Sequence, residues 1–279
     1  MTSTIRNSGA DAKQAQAFKY GEVLKWLLRN NFTDKHLVFD LLQLRRSGGY
    51  STIQNMISAG LVGETRVTGC PVPLIFLRPA GLAAAQRLLA DHPDGRLTAP
   101  VHASRLYVAQ VQHDLVAQRV VLDWQRKNPG SLIRSEKQLR SRGFTVGAGI
   151  DDSFGKIPDA LIHICPTANI QQKQTWAVEV QENEEAKEVA ERKLCQYFVA
   201  IDRQEIHGLV YVSTRPSVLE TIKKIAHTDV RRWSYSRVAK NWEPLLNHSS
   251  PTKDWILNER LVFVPRPDLA KPYYQYTVR

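Results

Sequence analysis

The chain has 279 residues, of which 43% are hydrophobic and 23% charged, with a formal net charge of +11 and a pI near 9.7. This excludes a disordered, collagen-like or low-complexity chain, and the basic excess favours a polyanionic partner, nucleic acid before an anionic membrane surface. Cys70, Cys165 and Cys195 are isolated and odd in number, with no Cys-x-x-Cys, so neither a disulfide framework nor a zinc site is suggested.

Residues 1–17 are polar and lack the apolar core of a signal peptide, and apolar stretches such as 72–77 are too short to span a bilayer. A cytoplasmic protein with no membrane partner is therefore expected. Residues 18–30 place Tyr20, Val23, Leu24, Leu27 and Leu28 on one helical stripe. Thr33 reads as the N-cap of a second helix with its body at 37–42. Ser47-Gly48-Gly49 reads as a break, and 51–59 as a third helix ended by Gly60. Residues 61–68 and 72–78, around a turn at Gly69-Cys70-Pro71, read as a hairpin, and Pro79 opens a helix to about Ala90.

Three short helices, a hairpin and a further helix form the winged helix-turn-helix pattern, so a DNA-binding domain is expected over 18–92. Its third helix would offer Tyr50, Ser51, Thr52, Gln54 and Asn55 to the major groove, where Gln and Asn pair bidentate with adenine. Arg45, Arg46 and Arg66 would hold phosphates. Double-stranded DNA carrying a specific site is the partner expected of such a surface.

Residues 91–100 read as a linker, and 101–279 as a second domain. A helix over 104–127 would bury Leu106, Val111, Leu115, Val120 and Trp124, and its His113 reads as a structural histidine before a catalytic one. Residues 132–139 pass from strand to helix, with Ser135 as cap. Glu136 is then either an acid favouring the helix dipole or a third carboxylate near a metal.

Two strands follow, at 157–164 and 175–180, joined by a polar connection at 166–174. Paired antiparallel, they bring Asp159 and Glu179 to one edge of the sheet. With the Val180 carbonyl these make a hard oxygen site suited to Mg²⁺ or Mn²⁺, the donor set a phosphodiester nuclease uses. A lysine commonly lies two residues after the glutamate; here that position holds Gln181. Lys193, on a helix over 183–201 and sharing a face with Tyr197, is expected to supply the charge, with Lys156 as second candidate. Glu185, Glu188 and Glu191 read as solvated neighbours of Lys187 and Arg192.

A strand at 207–213, a helix at 216–227 and an edge strand at 260–265 complete an α/β domain, α+β overall, with a mixed sheet. From Val230 the chain interleaves Arg231, Arg232, Trp233, Tyr235, Arg237, Lys240, Trp242 and Trp255. This pattern suits either single-stranded nucleic acid or ordinary aromatic packing.

The segments His113-Asp114-Leu115, Ser135-Glu136-Lys137-Gln138-Leu139-Arg140, Pro158-Asp159-Ala160, Val178-Glu179-Val180-Gln181 and Lys193-Leu194-Cys195-Gln196-Tyr197 resemble the PD-(D/E)xK nuclease superfamily, with its restriction-endonuclease-like fold. In order and spacing the chain more closely resembles the replication-relaxation family of plasmid proteins, which includes MobC-type mobilization relaxases. The resemblance spans roughly residues 20–200. It implies a winged helix joined to a nuclease-like domain, with Asp159 and Glu179 binding metal, Glu136 assisting and Lys193 completing a catalytic set that includes Gln181. It further implies site- and strand-specific nicking at a plasmid transfer origin, with relaxosome accessory and coupling proteins as partners. A replication or transcription regulator with an inactive nuclease-like domain, and a transposon or host-defence nuclease, share these parts. Tyr50, Tyr107 and Tyr197 are conceivable covalent nucleophiles, but hydrolysis is the expected route.

Overall fold

The apolar repeat of Val23, Leu24, Leu27 and Leu28 buries one stripe of a long first helix and gathers the first core around it. The computed structural model describes residues 9–98, 106–147, 155–165, 173–228, 230–236, 241–250 and 259–270. It is a mixed α/β chain that divides into two compact units, Met1–Val111 and Gln112–Arg279. The division falls at 111/112, not in the expected linker at 91–100. Residues up to Leu97 pack with the first unit: Leu97 is buried, and the buried Asp94 accepts a hydrogen bond from Arg29 Nε at 2.8 Å.

The first unit contains α1 (Gly9–Asn30), β1 (Phe32–Asp34), α2 (Lys35–Leu42), α3 (Arg46–Ser58), β2 (Val62–Thr65), β3 (Leu74–Leu77) and α4 (Pro79–Leu88). Its three strands form an antiparallel sheet in the order β1-β3-β2. The short β1 takes Thr33 into the sheet opposite Ile75, so the cap of α2 moves one residue on. Asp34 is the N-cap, its carboxylate accepting from Leu37 N at 2.8 Å.

Ser47-Gly48-Gly49 is no break but the first turn of α3. A Cβ on Gly49 would lie 2.1 Å from the Phe39 ring, so glycine here lets α3 close on α2. Gly48, one residue earlier, faces open space with only Leu44 at 3.9 Å. Gly48→Ala should therefore stabilise the first unit by about 0.5–1 kcal/mol through helix propensity. Gly49→Ala gains the same propensity but overpacks Phe39, and should destabilise by about 1–3 kcal/mol net. Thermal unfolding of the two variants should shift in opposite directions; equal shifts would show that the α2–α3 contact does not need glycine.

The second unit contains α5 (Val108–Lys127, mostly within it), β4 (Leu132–Ser135), α6 (Glu136–Ser141), β5 (Ala160–Ile164), β6 (Gln174–Val180), α7 (Lys187–Asp202), β7 (Gly208–Ser213), α8 (Pro216–Ala226), β8 (Val230–Ser236), β9 (Asn241–Ser250) and β10 (Leu261–Pro265). The main sheet runs β10-β7-β6-β5-β4, antiparallel from β4 to β6 and parallel from β6 through β7 to β10. Strand β7, Gly-Leu-Val-Tyr-Val-Ser, is buried throughout, as a strand between two parallel neighbours with both faces covered must be.

Leu161, Ala177, Leu209 and Tyr211 face α7 and α8. Ala160, Ile162, Val178, Val180, Val210 and Val212 pack with Val116 and Val120 of α5. The first of the two site strands is shorter than expected, starting at Ala160 instead of 157, because Pro158 has no N–H to give the ladder. Most of the 166–174 connection lies outside the described residues. Strands β8 and β9, which pair antiparallel, have no counterpart in the expected elements. Of the basic, aromatic tail, Trp233 is half-buried with the Arg192 guanidinium 5.9 Å from its ring centre. Arg237, Lys240 and Trp255 lie outside the described residues. Among the described residues no helix is long and apolar enough to cross a membrane.

Candidate functional site

The β5–β6 ladder pairs Ala160 with Val178, and Asp159 N donates to Val178 O at 3.1 Å. Continuing the register by one pair sets Asp159 opposite Glu179. Both carboxylates are buried, at 8% and 2% exposure. Two like charges directly across a strand pair repel, and burial adds to the cost of each. Everything packed around them offsets that cost.

Asp159 Oδ2 accepts from Val180 N at 2.7 Å and lies 3.2 Å from His113 Nε2. The same Nε2 is 3.1 Å from Val180 O, and His113 Nδ1 is 3.2 Å from Asp114 Oδ1. Burial alone would lower the His113 pKa, but Asp114 and Asp159 on its two sides raise it to about 11, so the ring is an imidazolium. Asp159 is accordingly held below the usual carboxylate range despite its burial, by His113 first and then by Lys156 and the Val180 N–H.

Glu179 is pushed the other way, up, by burial and by Asp159. Three groups oppose that rise. Lys156 Nζ is 2.9 Å from Oε1, Lys193 Nζ is 3.6 Å from the same oxygen, and Tyr197 donates its hydroxyl to Oε2 at 2.6 Å. Lys156 is fixed by its backbone, which pairs with Val146 in both directions at 2.8 and 2.9 Å. The adjacent Gly147 adopts φ +62° where a Cβ would lie 1.8 Å from Gln196 O, so only glycine fits there.

Lys193, on the same face of α7 as Tyr197, turns towards Glu179. Its nearest partner, however, is Glu185 Oε1 at 2.5 Å, with Gln181 Oε1 at 3.3 Å. Gln181 is buried and anchored by its Nε2, which donates to Asn183 O at 2.7 Å. Two of the three acids expected to be solvated are not: Glu185 faces Lys193, and Glu191 is buried at 2% exposure with Lys187 Nζ at 3.8 Å.

Ser135 caps α6 in a reciprocal box with Gln138, as its sequence suggests. Glu136 N donates to Asp159 O at 2.9 Å, which ties α6 to the site strand. Its carboxylate accepts from Arg140 Nε at 2.8 Å, one turn along α6. Tyr197 is buried and its hydroxyl pKa is raised well above the usual value by burial and Glu179, which rules against it as a nucleophile. Tyr50 and Tyr107 are exposed and lie in the first unit.

On the first unit, Arg45, Arg46, Tyr50, Ser51, Gln54, Asn55 and Arg66 are all exposed. Lys35 Nζ lies 5.2 Å from the centre of the Tyr50 ring. Thr52 is a correction: it is buried, its hydroxyl donating to Gly48 O at 2.8 Å on the inner side of α3, where no base can reach it.

Among the described residues no group of three or more His, Cys, Asp and Glu side chains is gathered to hold a metal. Mg²⁺ needs no such cage, since it commonly takes one or two carboxylates and completes its shell with water and substrate oxygens. Asp159, Glu179 and the Val180 carbonyl are hard oxygens of the right kind, and a dication would take the place of the cations that now offset the pair's repulsion. The donor set thus fits Mg²⁺ or Mn²⁺, although His113, Lys156 and Lys193 now share those oxygens. Sequence reasoning missed His113 and Glu185 as members of the site. The His113-Asp114 doublet was the available signal for the first; nothing marked the second. No protein-family model matches the chain, and no curated protein or solved structure matches it.

Proposed function

We propose that the chain is a metal-dependent DNA endonuclease of restriction-endonuclease-like fold, directed to a specific duplex site by a winged helix-turn-helix. The observation that carries this is the buried Asp159–Glu179 pair at the end of β5 and β6 with two lysines and a histidine upon it. The antiparallel pairing of β5 with β6 supports it, because it brings together the Asp and Glu of the motifs that resemble the PD-(D/E)xK nucleases. The resemblance to MobC-type relaxases makes nicking at a plasmid transfer origin the specific form of the proposal.

In this reading Asp159, Glu179 and the Val180 carbonyl would hold Mg²⁺ or Mn²⁺, which supplies Lewis-acid chemistry at a phosphodiester. His113 keeps Asp159 ionised and turned towards Val180. Lys156 and Tyr197 hold Glu179 by its two oxygens and oppose its rise towards the neutral form. Lys193 offers an ammonium to the phosphate, the task Gln181 cannot perform because an amide carries no charge. Burial of the pair keeps bulk water from screening these charges.

The alternative, a DNA-binding regulator with an inactive nuclease-like domain, has one observation in its favour. Asp159 Oδ2 and both oxygens of Glu179 are engaged by protein cations or donors. Incubation with supercoiled plasmid and Mn²⁺, with and without chelator, separates the two: nicking that the chelator abolishes supports the endonuclease, and an intact plasmid leaves the regulator.

The exposed face of α3 gives a separate test. Gln54→Ala and Asn55→Ala should each lower preference for the cognate duplex by about 1–3 kcal/mol per lost base contact. Selection of preferred sites from random duplex, followed by competition titration, measures this. Unchanged discrimination in both variants would remove α3 as the reading helix.

A further inference from the structure

Lys193 joins an inner and an outer carboxylate. Its ammonium is 3.6 Å from Glu179 Oε1, which is buried, and 2.5 Å from Glu185 Oε1, whose side chain keeps 23% of its surface exposed. Gln181 Oε1, 3.3 Å away, steadies the ammonium between them. Glu185 belongs to residues 181–186, which are neither strand nor helix, between the end of β6 and the start of α7. The near end of this segment is tied down, with Glu182 accepting from the Thr214 N–H and hydroxyl. Glu185 is thus the more exposed of the two carboxylates on Lys193, and its own backbone sits in no ladder.

A carboxylate and a phosphodiester are both oxyanions, and an ammonium binds either through the same charge-assisted hydrogen bond. An oxyanion arriving from solvent meets Lys193 where Glu185 now stands. We propose that Glu185 occupies, from within the chain, a phosphate subsite built on Lys193 and Gln181, and that a backbone phosphate of bound DNA exchanges with it. This rests on the reading that the second unit acts on DNA. The exchange explains why Lys193 is held outside hydrogen-bond distance of Glu179: the outer carboxylate keeps the ammonium forward, where a phosphate can take it over. It also sets a threshold, since a weakly held anion does not displace a carboxylate tethered to the same chain.

The test is the affinity of the full chain for a short duplex, measured in chelator so that nothing is cut. Glu185→Gln should tighten binding by about tenfold, the size of one charge-assisted contact no longer competed for. Glu184→Gln, an equal change of net charge at the exposed neighbour, should do much less. Glu185→Asp keeps the charge but withdraws the carboxylate by one methylene, and should also tighten binding. In a Lys193→Ala background Glu185→Gln should gain no more than Glu184→Gln.

Equal effects at 184 and 185, or a gain that survives loss of Lys193, would overturn the exchange. Cleavage of supercoiled plasmid in Mn²⁺ is read on the same proteins. Tightening without any cleavage would leave the phosphate subsite standing and remove the nuclease reading. Cleavage without tightening would do the reverse.

Discussion

Asp159→Asn and Glu179→Gln are each expected to abolish nicking of supercoiled plasmid in Mn²⁺, a fall of about a thousandfold or more given what single preorganised charges contribute. Preference for the cognate duplex sequence should be unchanged, because the exposed residues of α3 belong to a different unit. The amides are chosen because they keep the shape of the acids and an oxygen able to accept from Val180 N or Tyr197. The two variants should nonetheless differ in stability. Asp159 is held in its charged form by His113, so the fold gains from that charge and Asn loses it. Glu179 is pushed towards its neutral form by burial and by Asp159, so the fold gains little from its charge and Gln costs less. Thermal unfolding should therefore place Asp159→Asn below Glu179→Gln. Nicking by either variant at the unaltered rate would show that the pair holds no catalytic metal. The reverse order of stability would show that His113 does not dominate the Asp159 environment.

The sequence made some of this arrangement legible and hid the rest, for reasons that lie in the residues. Asp159 and Glu179 could be placed together because a polar run between two apolar strands implies antiparallel pairing, and strand period then fixes which residues share an edge. Lys193 and Tyr197, four residues apart, share one face of α7, and that face brings both to Glu179. The His113-Asp114 doublet gave His113 no partner, since nothing local says that α5 crosses the sheet where Asp159 precedes its strand. That is a long-range contact between residues 46 positions apart in sequence, carried by the packing of Val116 and Val120 on the sheet.

Gly48 and Gly49 misled for the opposite reason. Local propensity opposes a helix there, and it is the Phe39 ring, ten residues away, that makes glycine the residue α3 needs at 49. Thr52 turns inward because it shares the face of α3 that carries Ile53 and, one turn on, Met56. The acids of 185 and 191 look alike in a charge run. Only the fold distinguishes Glu185 on Lys193 from Glu191 under the helix.

The two lysines at Glu179 should separate by experiment. Lys193→Ala is expected to lower the cleavage rate by about a hundredfold at every pH where the enzyme works, because the transition state carries extra negative charge that a missing ammonium leaves uncompensated. Lys193→Arg should restore only part of this, since a planar guanidinium cannot occupy the space between Gln181, Glu185 and Glu179 as a compact ammonium does. Lys187→Ala, on an exposed side chain of the same helix, should do little.

Lys156 has a different task. It stands closer to Glu179 and draws its raised pKa, against the effect of burial, from Glu179 and Asp159. Removing a cation from a buried carboxyl raises the carboxyl pKa further. Lys156→Ala should therefore move the acid limb of the pH–rate profile to higher pH, with part of the lost rate recovered as pH rises. Lys193→Ala should lower the whole profile with a smaller displacement, because its ammonium is farther from Glu179 and nearer to Glu185. Single-turnover cleavage across the pH range distinguishes the two. An acid limb that shifts for Lys193→Ala and not for Lys156→Ala would exchange their roles, making Lys156 the group on the phosphate and Lys193 the one that keeps Glu179 charged.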